Sequence, residues 1–286
     1  MPDQKHMFNE GNITGSRRDF LAASILVPAV MSLAGHAGAQ EQTARPRSAI
    51  VTGSSRGIGA ATARRLAHDG YRVTVNYLKN HDLAEAVAAE IRAAGGNAIV
   101  HQADVSDPVA VTSLFAAHKA AFGAPDVVVA NAGIQALGAF SAMEDVAFDR
   151  LWAVNLKGCF YTLRAAAGEV PDGGRIIALA SGTTILRPPT YGAYAATKIG
   201  VEMFVNVLAK ELAGRMISVN AVSPGTTNTT LFTDGKTPEQ IDGFAKITPH
   251  RRLGEPEDIA NVIALLCADQ GAWVNGQVVY ANGGLV

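Results

Sequence analysis

The stretch Thr52-Gly53-Ser54-Ser55-Arg56-Gly57-Ile58-Gly59 limits the possible folds of this chain more than any other. It follows directly on the apolar run Ala49-Ile50-Val51 and leads into a helical pattern over 57–68. A Gly-rich turn alone is weak evidence, because any tight loop uses Gly. A Gly-rich turn that leaves a buried strand and opens a helix is far more specific. In such a unit Gly53 permits the turn, Gly57 lets backbone approach a pyrophosphate, and Gly59 lets helix and strand pack closely. Ser55, Arg56 and Ile58 complete the turn. The helix start offers unpaired N–H groups and the positive end of its dipole to phosphate.

The rest of the chain repeats the strand-then-helix rhythm. Short apolar runs predict strands over 49–51, 71–77, 98–102, 127–130, 175–180, 217–222 and 277–280. Helical periodicity predicts helices over 57–68, 82–94, from 108 onward, and over 148–169, 193–213, 238–245 and 257–267. Gly95-Gly96 stops the second helix, and Pro108 suits the first turn of the third, where its missing N–H is harmless. Continuous apolar strands alternating with helices predict an α/β fold: one Rossmann-type, doubly wound parallel sheet of about seven strands in a single domain over 40–286. Its ligand belongs at the carboxyl ends of the strands, near the switch in strand order. Hydrophobic residues make up 48% of the chain, enough for a sizeable core. The 24 basic and 25 acidic residues nearly cancel, which gives no electrostatic basis for nucleic-acid binding or a cationic membrane face. Cys159 and Cys267 lack the spacing of a zinc site, and no metal is expected. They read as small buried hydrophobes, with a disulfide left open for an exported protein.

The N-terminus reads as separate from the fold. Ser16-Arg17-Arg18-Asp19-Phe20-Leu21 is a twin-arginine pattern; an apolar run over 20–33 and a small-residue site, Ala37-Gly38-Ala39, follow it. These parts, in this order, predict a twin-arginine signal peptide over 1–39, cleavage after Ala39 and a periplasmic or secreted protein, cytoplasmic if the signal is not used. The apolar run is short for a permanent anchor. The competing reading is an amphipathic or unstructured extension with a chance Arg-Arg.

Cofactor choice is read at the end of the second strand. A site for NAD usually holds an acid there, bonded to the ribose 2′-hydroxyl. This chain has Asn76, then Tyr77, with Lys79 nearby; the next acid is Asp82, already at a helix start. Without a carboxylate to repel a 2′-phosphate, and with Arg56 able to pair with it, NADP is favoured over NAD.

Tyr194 and Lys198 lie four residues apart in Tyr194-Ala195-Ala196-Thr197-Lys198, on one face of a helix. A free phenol has a pKa of about 10, and a neighbouring ammonium is expected to lower it, so that Tyr194 can exchange a proton with a carbonyl or alcohol oxygen. Taken alone the pair is also what a core Tyr and a surface Lys would give. With the other motifs, the sequence from about residue 46 to the end resembles the short-chain dehydrogenase/reductase family. Thr52 to Gly59 is similar to its glycine-rich motif, and Asn131-Ala132-Gly133 to its Asn-Ala-Gly motif. Asn155 in Val154-Asn155-Leu156 matches the helix asparagine, Ser181 lies thirteen positions before Tyr194, and Pro224-Gly225 follows the sixth strand. The resemblance is to ketoacyl reductase-like and glucose dehydrogenase-like classical members.

That resemblance implies an NADP-dependent oxidoreductase interconverting a carbonyl and a secondary alcohol. Tyr194 would be the acid–base, Lys198 would hold the nicotinamide ribose, and Ser181 would stabilise charge on the substrate oxygen. Asn155 would position a water linking Lys198 to solvent. Asp104 and Val105 would contact adenine, Ala132 and Gly133 would line the cofactor, and Pro224, Gly225, Thr227 and Thr229 would flank the carboxamide and phosphates. Plainer roles stay open: Asn131 and Asn155 bonding backbone, Ser181 in a turn, Asp104 as a helix cap. Ala130 departs from the family, which often has Asn at that position. Thr183, Thr184, Ile185, Leu186 and Tyr191 are expected to face the reacting carbon, and 226–252, with Leu231, Phe232 and Phe244, to act as a lid. The substrate is left as a small-molecule ketone, alcohol or sugar. A homotetramer or homodimer through the two long helices is implied by the family. A catalytically silent dinucleotide-binding or sensing protein of the same fold is the alternative.

Overall fold

Seven short apolar runs become parallel strands because helices cover both faces of each. The computed structural model describes residues 45–286, so the twin-arginine segment and its cleavage site lie outside the described residues. The strands are β1 (Ser48–Val51), β2 (Arg72–Tyr77), β3 (Ala98–Gln102), β4 (Val127–Ala130), β5 (Arg175–Leu179), β6 (Ser218–Pro224) and β7 (Val278–Ala281). They form one sheet in the order β3-β2-β1-β4-β5-β6-β7, every neighbouring pair parallel. The order reverses between β1 and β4, which opens the crevice at which a doubly wound sheet binds its ligand.

Alternation along each strand feeds two cores. Val51, Val73 and Ile177 meet Leu66 of α1 (Gly57–His68), Val87 of α2 (His81–Ala93) and Ile263 of α10 (Pro256–Cys267). Ile50, Val128 and Ile176 point the other way, onto Leu114 of α3 (Pro108–Phe122), Leu163 of α5 (Cys159–Glu169) and Val205 of α7 (Gly192–Glu211). Each fully buried aliphatic side chain contributes roughly 1.5–3 kcal/mol. Cys267 belongs to the first core and Cys159 to the second, both as free thiols, so the disulfide left open by the sequence does not form.

The expected long helix over 148–169 starts earlier and is not uniform. It begins as α4 (Asp145–Trp152), passes through a π-helical turn at Ala153–Gly158, and continues as α5. Such turns widen the helix by one residue and often mark functional sites; this one carries Asn155. A short α6 (Thr183–Leu186) follows β5, and the expected lid is built from α8 (Thr230–Thr233) and α9 (Pro238–Ile247). Thr237 and Gln240 close a capping box at the start of α9. No described helix is long and apolar enough to cross a membrane.

Candidate active site

A cavity of about 690 Å³ opens at the carboxyl ends of the strands. Its wall includes every expected cofactor residue of the glycine turn: Gly53, Ser55, Arg56, Gly57, Ile58 and Gly59. Gly53 and Gly57 both adopt left-handed backbone, with φ of 61° and 56°, which glycine adopts at little cost. A Cβ at Gly59 would lie 2.5 Å from both Asn131 Nδ2 and the Gly53 carbonyl, so the turn closes only on a residue without a side chain. Asn131 holds it shut, its amide donating to the carbonyls of Thr52 at 2.8 Å and Gly53 at 3.1 Å. Asn131 therefore takes the backbone-bonding role, while Ala132 and Gly133 continue the wall.

Asn76 also lines the cavity, yet its side chain faces the protein. Its Oδ1 accepts from Gly53 N at 2.9 Å, and its Nδ2 donates to the carbonyls of Tyr77, His101 and Ala103. It braces the glycine turn against β2 and β3 and has no amide proton left for a ligand. The exposed cations at this end of the wall are Arg56 and Lys79. No carboxylate stands at the end of β2.

Asp104 and Val105 line the wall beyond β3. Asp104 does not cap α3; Asp107 does, accepting from Val109 N at 2.9 Å. Asp104 instead accepts from both the backbone and the hydroxyl of Ser106 and pairs with Arg150 at 3.0 Å. These partners hold its carboxyl below the usual range although burial pushes the other way. Arg150, a wall residue on α4, carried no signal in the sequence.

Asn155 is the exception among the expected site residues: it is buried behind the wall. Its Oδ1 accepts from Ile134 N at 2.8 Å, and its Nδ2 donates to the Ile134 carbonyl at 2.9 Å. A weaker contact reaches Thr197 Oγ1 at 3.4 Å. The side chain thus pins the loop after Asn131-Ala132-Gly133.

Ser181, Tyr194 and Lys198 meet in the wall, with Pro224, Gly225, Thr227 and Thr229 following β6. Lys198 Nζ donates to the Leu179 carbonyl at 2.7 Å and lies 5.8 Å from the centre of the Tyr194 ring. Lys198 Nζ is also within 3.7 Å of where a Gly133 side chain would start, so Gly133 keeps that approach open. Burial pushes the Tyr194 phenol up to about 12; a hydrogen bond from Ser181 opposes this, and Tyr191 adds to it. Burial also pushes the Lys198 ammonium down to about 8. The expected depression of the phenol is therefore reversed: burial is the largest cause, and the Lys198 hydrogen bond is directed to Leu179. The neutral phenol is a proton donor across the neutral range.

Tyr194 stays protonated, and so able to donate, up to about 12, whereas Lys198, expected to hold the nicotinamide ribose, loses its charge above about 8. Proton abstraction needs the phenolate and gains with rising pH toward about 12. The expected kcat/KM profiles diverge: reduction falls above the Lys198 range while alcohol oxidation climbs. Reduction that rises between these two values would contradict the assignment.

Of the residues expected to face the reacting carbon, Thr183, Leu186 and Tyr191 line the cavity. Thr184 does not: it is buried, its hydroxyl within hydrogen-bond distance of the Ser181 carbonyl at 3.0 Å and of the Glu202 carboxyl at 2.8 Å. Ile185 points outward, 52% exposed. Leu231, Phe232 and Phe244 line the cavity as expected of a lid.

A family model described as enoyl-(acyl carrier protein) reductase matches residues 53–286. The NADPH-dependent aldehyde reductase-like protein of Arabidopsis thaliana is 44% identical over 256 residues, covering 84% of this chain and 94% of the relative. A short-chain type dehydrogenase/reductase of Picea abies is 42% identical over 250 residues, covering 84% and 92%. The crystal structure of a short chain dehydrogenase from Burkholderia cenocepacia in complex with NADP superposes with a TM-score of 0.79 at 36% identity, covering 84% of this chain and 97% of that one. With this identity over nearly the whole of each partner, and with the glycine turn, Ser181, Tyr194 and Lys198 gathered in one cavity, the chain belongs to the short-chain dehydrogenase/reductase family.

Proposed function

We propose that the chain is an NADP-dependent oxidoreductase that interconverts a carbonyl and a secondary alcohol, with Tyr194 as its acid–base group. The observation that carries this reading is the convergence of a buried, protonated phenol, a serine hydroxyl and a buried ammonium on one cavity whose far end is a glycine turn. The chain fits the cofactor: a Cβ would fill the turn at Gly59, and the helix α1 start lies beside it. The Gly53–Gly59 turn would hold the pyrophosphate, Arg56 and Lys79 a 2′-phosphate, and Lys198 the nicotinamide ribose. When bound, NADPH supplies the hydride. Ser181 orients the substrate oxygen, Tyr194 gives it a proton, and the same groups take that proton back in the reverse direction.

The NADP-bound relative and the NADPH-dependent one support this choice of cofactor. Arg56→Ala is expected to weaken NADPH binding about tenfold, the loss of one exposed charge-assisted contact, and to leave NADH binding unchanged. Equal affinity for the two cofactors in the parent protein, unaffected by the substitution, would refute it. The same reading extends to a classical family member, exported through the twin-arginine route and assembled as a homotetramer or homodimer. The Ser16–Leu21 motif supports export. Exposed Phe160, Ile199, Met203 and Val207 on α5 and α7 support assembly. An exported form starting near Gln40 and a light-scattering mass above one chain are expected; an intact Met1 found only in cytosol, or a single-chain mass, would count against these two points.

A further inference from the structure

The cavity divides by chemistry along the sheet. Apart from Lys198, its charged wall residues, Arg56, Lys79, Asp104 and Arg150, belong to the β1–β3 half or, for Arg150, bond to it. The wall from the β4–β7 half is different. Ile134 follows β4, Leu186 and Tyr191 follow β5, and Leu231, Phe232 and Phe244 follow β6, interspersed with the neutral Gln135, Thr183, Thr226 and Thr230. Apart from the buried Lys198, tied to Leu179, no charged side chain lines that half.

Its aromatic groups are already arranged. Phe232 and Phe244 meet edge to face with centres 5.1 Å apart, holding α8 against α9. Tyr191 meets Tyr194 in the same manner at 6.2 Å, beside the reacting hydroxyl. Lys236 is not among the lining residues: it lies 4.5 Å over the Phe232 ring and donates to the Phe232 carbonyl. The rim leaves apolar surface in water, with Leu186 at 44%, Leu231 at 40% and Ile247 at 63% exposure. An apolar occupant relieves that exposure. A carboxylate or phosphate there would lose its hydration without gaining a cationic partner.

We infer that the substrate is an uncharged, largely apolar ring ketone whose ring lies against Tyr191 and the Phe232–Phe244 pair, its carbonyl turned to Ser181 and Tyr194. This rests on the oxidoreductase reading above. The ketone carbon gains a hydride with NADPH as the reductant, the C=O π bond opens, and the oxygen takes the Tyr194 proton, giving the secondary alcohol. The assignment narrows the ketone, alcohol or sugar that the sequence left open to an uncharged, largely apolar ketone.

The test uses the purified full chain with saturating NADPH and four probes: 1-tetralone, a ring-carboxylated 1-tetralone, D-fructose and propanal. The expected kcat/KM for 1-tetralone exceeds that for the carboxylated ketone by about 100-fold, the penalty for burying an unpaired charge, and exceeds that for D-fructose, whose ring offers no apolar face as broad to Tyr191 and the Phe232–Phe244 pair. Phe232→Ala and Phe244→Ala are each expected to lower the 1-tetralone value about tenfold, chiefly through KM. NADPH binding by each variant shows that it is folded, and calorimetric titration of 1-tetralone into the NADP-loaded protein reads the same loss without turnover. In Phe232→Arg, the preference for the neutral over the carboxylated ketone should narrow. Equal or better turnover of the carboxylated ketone or the sugar overturns the inference and leaves the oxidoreductase reading standing. So does turnover of propanal with none of 1-tetralone. Absence of NADPH consumption with all four probes fails both.

Discussion

Tyr194→Phe is expected to lower kcat by about 10³-fold while NADPH still binds, because a positioned acid–base contributes roughly 10²–10⁴. The substitution removes one oxygen and keeps the ring. The edge-to-face contact with Tyr191 and the position of Lys198 do not depend on that oxygen. Stability should therefore change little, although the phenol is buried. The loss should appear in kcat and kcat/KM together, the signature of an interaction made in the transition state. Near-normal turnover would show that another group handles the proton.

Gly59→Ala should act by a different route. A Cβ there would sit 2.5 Å from Asn131 Nδ2 and from the Gly53 carbonyl, and 2.9 Å from Ser54 Cα. None of these is the free end of a flexible chain, since Asn131 is itself bonded to Thr52 and Gly53. Relief requires the turn to open. The expected cost is about 1–3 kcal/mol of overpacking, with NADPH affinity reduced at least about 100-fold as the phosphate-facing N–H groups lose their alignment. Gly168→Ala supplies the contrast. That glycine lies in α5 with nothing near the position of an added Cβ, and alanine there should stabilise by about 0.5–1 kcal/mol. Denaturant unfolding and cofactor titration of both variants check the pair. Equal behaviour would mean that close packing at Gly59 is not what shapes the turn.

The sheet and the glycine turn were legible because they depend on local patterns. Short apolar runs between turn signals, alternating with longer helical patterns, read as buried parallel strands. The spacing of Tyr194 and Lys198 on one helix fixed their shared face, and Ser181 entered at a strand end. What the sequence hid depends on where side chains turn after the backbone is placed. Asn76 stands at the position where cofactor choice is read, yet its amide is consumed by four protein partners. Asn155 sits in a π-helical turn that no periodicity announces, and it faces Ile134. Thr184 and Ile185 fall on the wrong sides of the four-residue helix α6, too short for its hydrophobic pattern to show a face. Arg150 reaches the site through Asp104, forty-six residues away in sequence. The direction of the Tyr194 shift was misread because sequence shows a nearby ammonium but not the burial that pushes the phenol up.

Both substitutions presuppose that substrate carbon receives its hydride beside the Tyr194 hydroxyl. The most direct measurement is transfer of isotope from NADPH deuterated at the nicotinamide C4 positions, followed by mass spectrometry of the alcohol formed from 1-tetralone or propanal. The account predicts one deuterium on the carbinol carbon, formed at a rate that collapses in Tyr194→Phe. Alcohol formed without label on that carbon, or formed equally fast by the variant, would contradict it.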